Sequence, residues 1–177
     1  MGHREGMHRE QLIEQIVEQY GKAMMNFAYT YLKDWSAAED VVQDALIKIY
    51  DRLETFEERS AVKTWLYSIT ANQCKDYLRK SYVRKVLPTG LREHRMRSRE
   101  GLPEEQLAQK DSTEQLAGQI FSLPVKYREM IVLYYYEDLS TNEISDLLNV
   151  NVSTVKSRLQ RAREKLKSVL KEGKLDA

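Results

Sequence analysis

Cysteine is nearly absent. Cys74 is the single one in 177 residues, so no intrachain disulfide and no cysteine-based zinc site can form, and a reducing, cytoplasmic setting is expected. Proline (3) and glycine (7) are also scarce, which favours long helices over a β-sandwich or a Gly-rich nucleotide fold. Long apolar runs are missing too: nothing approaches the roughly 20 residues that span a bilayer, and Met1 to Glu10 is polar, with no signal-peptide core. His3 and His8 have only Glu and Arg around them and form no ligand cluster. There is no Gly-rich phosphate loop and no His-containing triad pattern, and the carboxylates fall at capping and helix-face positions. Neither enzymatic chemistry nor a cofactor or metal is therefore expected.

What remains is a chain with 42% hydrophobic and 31% charged residues, enough apolar surface for small cores and too much for disorder. At about 150 residues per domain, the length allows one ordinary domain or two small ones. A formal net charge of +1 hides a division into blocks. Nine basic residues fall between Lys75 and Arg99 against Asp76 and Glu93, acids dominate from Glu100 to Asp146, and basic residues return from Lys156 to Lys171. Two basic stretches separated by an acidic one point to two contacts with a polyanion, and to other surfaces that avoid it or meet a basic partner.

The fold class expected is all-α: two small helical domains joined by a flexible linker, the C-terminal one containing a helix-turn-helix. Leu12, Ile13, Ile16, Val17, Tyr20, Met24, Phe27, Ala28 and Tyr31 recur at three and four, one face of a first helix. Ser36-Ala-Ala-Glu39 reads as a capping box opening a second, with Val41, Val42, Ala45, Leu46, Ile49, Tyr50 and Leu53 inward. After a polar break at Phe56 to Ser60, a third helix turns Val62, Trp65, Leu66, Ile69 and Tyr77 inward. These helices close a domain over 8–82. Residues 83–111 carry Pro88, Gly90, Gly101 and Pro103 and read as the linker. The second domain, 112–173, runs through Ile120 and Phe121, then a helix with Pro124 in its first turn carrying Met130, Ile131, Leu133 and Tyr134. A capping box at Ser140-Thr-Asn-Glu143 opens a short helix with Ile144, Leu147 and Leu148 inside. After Asn149-Val-Asn151 a last helix starts at Ser153 or Thr154, buries Val155, Leu159, Ala162, Leu166 and Val169, and stops at Gly173.

Two short helices joined by a tight turn make a helix-turn-helix, and Asn149 tolerates the positive φ such a turn needs. With the apolar residues of the last helix buried, Lys156, Ser157, Gln160, Arg161 and Arg163 face outward. Arg and Lys contact guanine or phosphate, and Gln presents paired donor and acceptor atoms to adenine. Around the break and third helix of the first domain, Phe56, Trp65 and Tyr67 interleave with Arg59, Lys63, Asn72, Lys75 and Arg79. Aromatic and basic side chains in that mixture stack on unpaired bases and hold their phosphates. Trp65 is nevertheless expected mainly in the core, whereas Asn72 is placed to hydrogen bond an extruded base. Asp40, Gln43 and Asp44 fall at i, i+3 and i+4 on the second helix, one polar patch that suits a basic protein helix.

Three groups of these residues together resemble a known family. Ala38-Glu-Asp-Val-Val-Gln-Asp44, then Thr64-Trp-Leu-Tyr67 with Asn72 and Asp76-Tyr-Leu-Arg79, and finally Glu143-Ile with Thr154-Val-Lys-Ser-Arg-Leu-Gln-Arg-Ala-Arg163 are similar to the extracytoplasmic-function sigma factors of bacterial RNA polymerase. The resemblance implies a region 2 domain that binds the promoter −10 element and a region 4 helix-turn-helix that binds the −35 element. It implies that Asp40, Gln43 and Asp44 dock on the coiled coil of the polymerase β′ subunit, that region 4 meets the β flap, and that the linker runs near the RNA exit path. It also implies that Asn72 helps capture a flipped base of the opened −10 strand. The loop from Phe56 to Lys63, with Arg59 and Ser60, would form the pocket for that base, with Lys75 and Arg79 beside it. Thr154, Lys156, Ser157, Gln160, Arg161 and Arg163 are implied to lie at the −35 duplex. Members are usually held inactive by a cognate anti-sigma factor, often membrane-attached. The chain departs from the family at Ser145 and Asn149, where Ala and Gly are more usual.

Two other functions compete on the residues alone. An autonomous repressor or activator would use the helix-turn-helix as a dimer on a palindrome, but it would not need the Asn72 region. A module that sequesters another protein would leave the basic face of the last helix idle.

Overall fold

The computed structural model describes residues 2–53, 61–86 and 110–172, and every regular element among them is a helix. The chain divides into two units, Met1–Ser98 and Arg99–Ala177.

The first unit holds α1 (Gly2–Leu32), α2 (Trp35–Arg52) and α3 (Val62–Val86), each packed on the other two. Their apolar stripes meet in one core. Met24, Phe27 and Ala28 of α1 face Ala38, Ala45 and Ile49 of α2 and Leu66, Tyr67 and Cys74 of α3, all fully buried. The Phe27 ring lies 4.8 Å from that of Tyr67 and edge-on to Tyr31 at 5.2 Å, aromatic contacts that add to simple burial. Thr70 enters the core because its hydroxyl donates to the Leu66 carbonyl at 2.9 Å, which satisfies a polar group that burial would otherwise penalise. Burial pushes the pKa of the Cys74 thiol up to about 12.

Three expectations about this unit are corrected. The start of α2 is Trp35, and its N-cap is Asp34, whose carboxylate accepts from the Ala37 amide at 2.9 Å. Ser36 is already inside the helix, so the capping box at Ser36 to Glu39 does not form. Lys33 reverses the chain just before it with φ of 55°, and the cap follows that reversal rather than the better-looking motif two residues on. Val17, Val62 and Tyr77, expected inward from their spacing, are exposed. Among the described side chains, the first buried one in α1 is Ile16 and the last in α3 is Cys74. At 1.5 Å per residue, a 31-residue and a 25-residue helix outrun the 18-residue α2 by roughly 10–20 Å, and periodicity cannot show where the neighbours stop. The third correction concerns Trp65, which is half-buried, while Tyr67 takes the core position.

The second unit contains α4 (Lys110–Ser122), α5 (Val125–Ile131) continued by a π turn (Val132–Tyr136), α6 (Thr141–Leu148) and α7 (Val152–Glu172). Ile120, Leu123, Tyr127, Ile131 and Ala162 form one buried cluster, with Leu166 packed against it. Met130, Leu133, Ile144, Leu147, Val155 and Leu159 are buried as well. Pro124 is the N-cap of α5, one position before the first turn it was assigned to, and its carbonyl accepts from the Tyr127 amide at 2.9 Å. Buried Arg128 donates to the Phe121 carbonyl at 2.6 Å and so ties the end of α4 to α5. The α7 start at Val152 precedes the expected Ser153 or Thr154, and Leu166 is half-buried rather than enclosed. The Val169 side chain and Gly173 lie outside the described residues, as do most of the expected linker and the loop with Phe56, Arg59 and Ser60. Both margins of that expected linker are helical, since α3 continues to Val86 and α4 opens at Lys110.

Candidate nucleic-acid interface

The corner between α6 and α7 is fixed by local hydrogen bonds. Ser140 caps α6 with its hydroxyl accepting from the Glu143 amide at 3.2 Å, and Glu143 accepts in return from the Ser140 amide at 2.8 Å. At the other end Asn149 sits at φ 52° and ψ 52°, and Val150 N–H reaches back to the Ser145 carbonyl at 3.1 Å. That six-to-one bond across a left-handed residue satisfies an end carbonyl and turns the chain. The Ser145 hydroxyl donates to the Val150 carbonyl at 2.5 Å, a second clamp on the corner. The serine and asparagine found in place of the family's usual alanine and glycine therefore build the turn in this chain.

Beyond the corner, α7 is held by Val155, Leu159 and Ala162 and by an ion pair from Arg158 to Glu129 at 3.5 Å, with Glu129 only 3% exposed. The Arg158 side chain stays 28% exposed, so the charge of the enclosed Glu129 carboxylate is met from the edge of the core rather than from within it. Lys156, Ser157, Gln160 and Arg161 are exposed, as the sequence implied, and Thr154 is half-buried. The Ser157 hydroxyl donates to the Thr154 carbonyl at 3.0 Å, and Gln160 Nε2 donates to Glu164 at 3.0 Å. Glu164 thus belongs to this face. Sequence spacing could have found it, since it lies at i+4 from Gln160. Arg163 is exposed, but its Nε donates to the Tyr135 hydroxyl at 2.8 Å.

On α3, Asn72, Lys75 and Arg79 are exposed and Lys63 is half-buried. Trp65, Asn72 and Arg79 are seven residues apart and share one outer stripe of the helix. Arg79, largely exposed, pairs with half-exposed Asp76 at 3.0 Å, a contact that water screens heavily. Tyr67, expected among the stacking aromatics, is removed to the core, where Lys63 Nζ lies 5.8 Å from its ring. Trp65 replaces it on the outer face.

On α2, Asp40, Gln43 and Asp44 are all exposed. In their midst stands Ile47, 61% exposed, a residue absent from the expected patch. The signal was available: Ile47 falls outside the inward set of Leu46, Ile49 and Tyr50 and at i+3 and i+4 from Asp44 and Gln43. At the opposite corner Trp35 stacks on Tyr29 at 4.1 Å. Among the described residues no group of His, Cys, Asp or Glu could hold a metal ion, and no helix is long and apolar enough to cross a membrane.

Two helical units, one ending in a basic helix and the other in a helix-turn-helix with a basic outer face, define a DNA-binding protein of the all-α class. Residues 16–83 match Sigma-70 region 2 and residues 114–166 match Sigma-70, region 4. The chain is 34% identical to the ECF RNA polymerase sigma factor SigW of Bacillus subtilis, over 89% of this chain and 88% of that protein. It is 30% identical to SigM of the same organism, over 91% and 96%. Among solved structures it is similar to the sigma factor RpoE of Bartonella quintana in complex with the anti-sigma factor NepR. There the TM-score is 0.70 and the identity 28%, covering 89% of this chain and 96% of that one. The chain belongs to the sigma-70 family, as an extracytoplasmic-function sigma factor of RNA polymerase. Its regions 2 and 4 bind polymerase core and promoter DNA.

Proposed function

We propose that the three outward faces divide the work of initiation among them. The acidic face of α2 docks on the β′ coiled coil through Asp40, Gln43 and Asp44, with Ile47 as an apolar point of contact between the carboxylates. The outer stripe of α3, together with Phe56, Arg59, Ser60 and Lys63, captures unstacked bases of the −10 element: Asn72 hydrogen bonds an extruded base, Lys75 and Arg79 hold phosphates, and Trp65 offers a ring for stacking. The face of α7 made by Thr154, Lys156, Ser157, Gln160 and Arg161 reads the −35 duplex while region 4 rests on the β flap. Opening DNA costs a few kcal/mol per unstacked base step, so captured bases and polymerase contacts must offset it jointly. The free chain therefore binds promoters weakly and performs no chemistry of its own.

The observation that carries this reading is the segregation of charge. On α2 the exposed side is mainly acidic, on α3 and α7 it is mainly basic, and each helix buries an apolar stripe behind it. A cognate anti-sigma factor, membrane-attached in many systems, holds the chain inactive in the cytoplasm. Support comes from the similar RpoE, whose structure is a complex with the anti-sigma factor NepR.

The test is reconstitution. Purified chain added to sigma-free core polymerase directs a specific transcript from a promoter template, with permanganate-reactive thymines at the −10 element. Asp44→Arg abolishes core binding in a pull-down and leaves the helical circular dichroism intact. Tight promoter binding by the chain alone, without transcript, would overturn the reading.

A further inference from the structure

Arg163 has a partner that its place in the sequence does not announce. Its Nε donates to Tyr135 Oη at 2.8 Å, across 28 residues. The guanidinium carbon stands 5.7 Å from the ring centroids of both Tyr134 and Tyr135, and those two rings meet edge-on at 5.0 Å. A guanidinium is a rigid plane, so a bond at Nε and two neighbouring rings fix its direction. On α7 it lies beside Leu159 at i−4 and Leu166 at i+3, on the exposed flank that borders the core, and it shares that stripe with Lys156 one heptad earlier, whereas Ser157 and Arg161 stand further round on the outer face. Tyr135 is delivered by the π turn at Val132–Tyr136, a rare irregularity that is frequent at functional sites.

We propose that Arg163 is a positioning residue of the recognition helix and not a DNA contact: latched to Tyr135, it sets the roll of α7 about its own axis. The apolar contacts of Val155, Leu159 and Ala162 are non-directional and tolerate a small roll. Side chains reach roughly 6 Å from a helix axis, so a 10° roll moves their tips by about 1 Å, enough to spoil a bidentate base contact. A directional bond on the flank of the helix prevents this. The inference rests on the reading that α7 faces the −35 duplex.

The experiment uses holoenzyme assembled from the full-length chain and two duplexes. One carries the −35 segment that wild-type holoenzyme enriches from a randomised library, the other the same segment scrambled. Arg163→Ala, Arg163→Lys and Tyr135→Phe each lower the ratio of specific to scrambled affinity by about threefold to tenfold, the worth of one hydrogen bond. Joining Arg163→Ala to Tyr135→Phe lowers it no further. The slope of log affinity against log salt stays at the wild-type value in all of them, while Arg161→Ala reduces it by about 0.9, one phosphate contact. Tyr135→Phe keeps the ring and its packing, so its effect does not come from a lost fold, and thermal melting of each variant checks this. A slope reduced by about 0.9 in Arg163→Ala but retained in Arg163→Lys would make Arg163 a phosphate contact and overturn the proposal. An unchanged ratio in Tyr135→Phe would overturn it as well. Unchanged slopes in both Lys156→Ala and Arg161→Ala would remove the underlying reading of α7 and the proposal with it.

Discussion

Replacing Asn149 tests whether the α6–α7 corner depends on one backbone conformation. At φ 52° and ψ 52°, an L-residue with a Cβ is disfavoured by about 1–2 kcal/mol, Asn less than most, and a β-branched residue more. Asn149→Gly removes that strain but gives the unfolded chain more freedom, worth roughly 0.5–1 kcal/mol, so the two nearly cancel and a gain of at most about 1 kcal/mol remains. Asn149→Ala costs about 1 kcal/mol and Asn149→Val about 2 kcal/mol. Two unfolding units make a single melting curve ambiguous; native-state amide exchange in α6 and α7 of the full-length chain reads the second unit alone. Asn149→Val speeds the slowest amides there by roughly thirtyfold and Asn149→Ala by about fivefold, while Asn149→Gly leaves them unchanged or slower. The amides of α1 to α3 are unaffected. Wild-type protection in Asn149→Val would mean that the corner relaxes out of the left-handed region at little cost, and the account of the turn would be refuted.

Other outcomes follow from single contacts. Ser140→Ala removes the acceptor for the Glu143 amide and destabilises α6 by about 1 kcal/mol, read as faster exchange of its first-turn amides. Ile47→Ala, on the exposed face of α2, lowers affinity for core polymerase in a titration without altering its salt dependence, while Asp40→Asn weakens that dependence. The Cys74 thiol, pushed up to about 12 by burial, resists thiol reagents at neutral pH until the first unit opens. Because the folded pKa lies above the unfolded one, near 8.5, unfolding releases a proton at alkaline pH. The contribution of neutral Cys74 is full below about pH 8.5 and is lost as pH rises toward 12. Cys74→Ala therefore flattens the alkaline fall in stability measured by denaturant titration.

Legibility followed the range of the interaction. The Ser140–Glu143 capping box, the left-handed Asn149 and the outward set Lys156, Ser157, Gln160 and Arg161 could be read from residues within a few positions of one another, because caps, turns and helix faces are made by near neighbours. The acidic patch on α2 was legible for the same reason, and the family pattern fixed the order of the two regions. Where two local signals competed, periodicity and motif were insufficient: Asp34, and not Ser36, took the cap because Lys33 reversed the chain there. The tertiary structure alone decided which turns of α1 and α3 lack neighbours, so that Val17 and Tyr77 stay in water. It also chose Tyr67 over Trp65 for the core, since the Phe27 ring on another helix fills the space beside Tyr67. The bond between Arg163 and Tyr135 depends on a π turn that sequence does not announce and on two helices brought together by burial. Side chains far apart in the chain meet only when packing excludes water between them, and that is a property of the folded unit rather than of any segment.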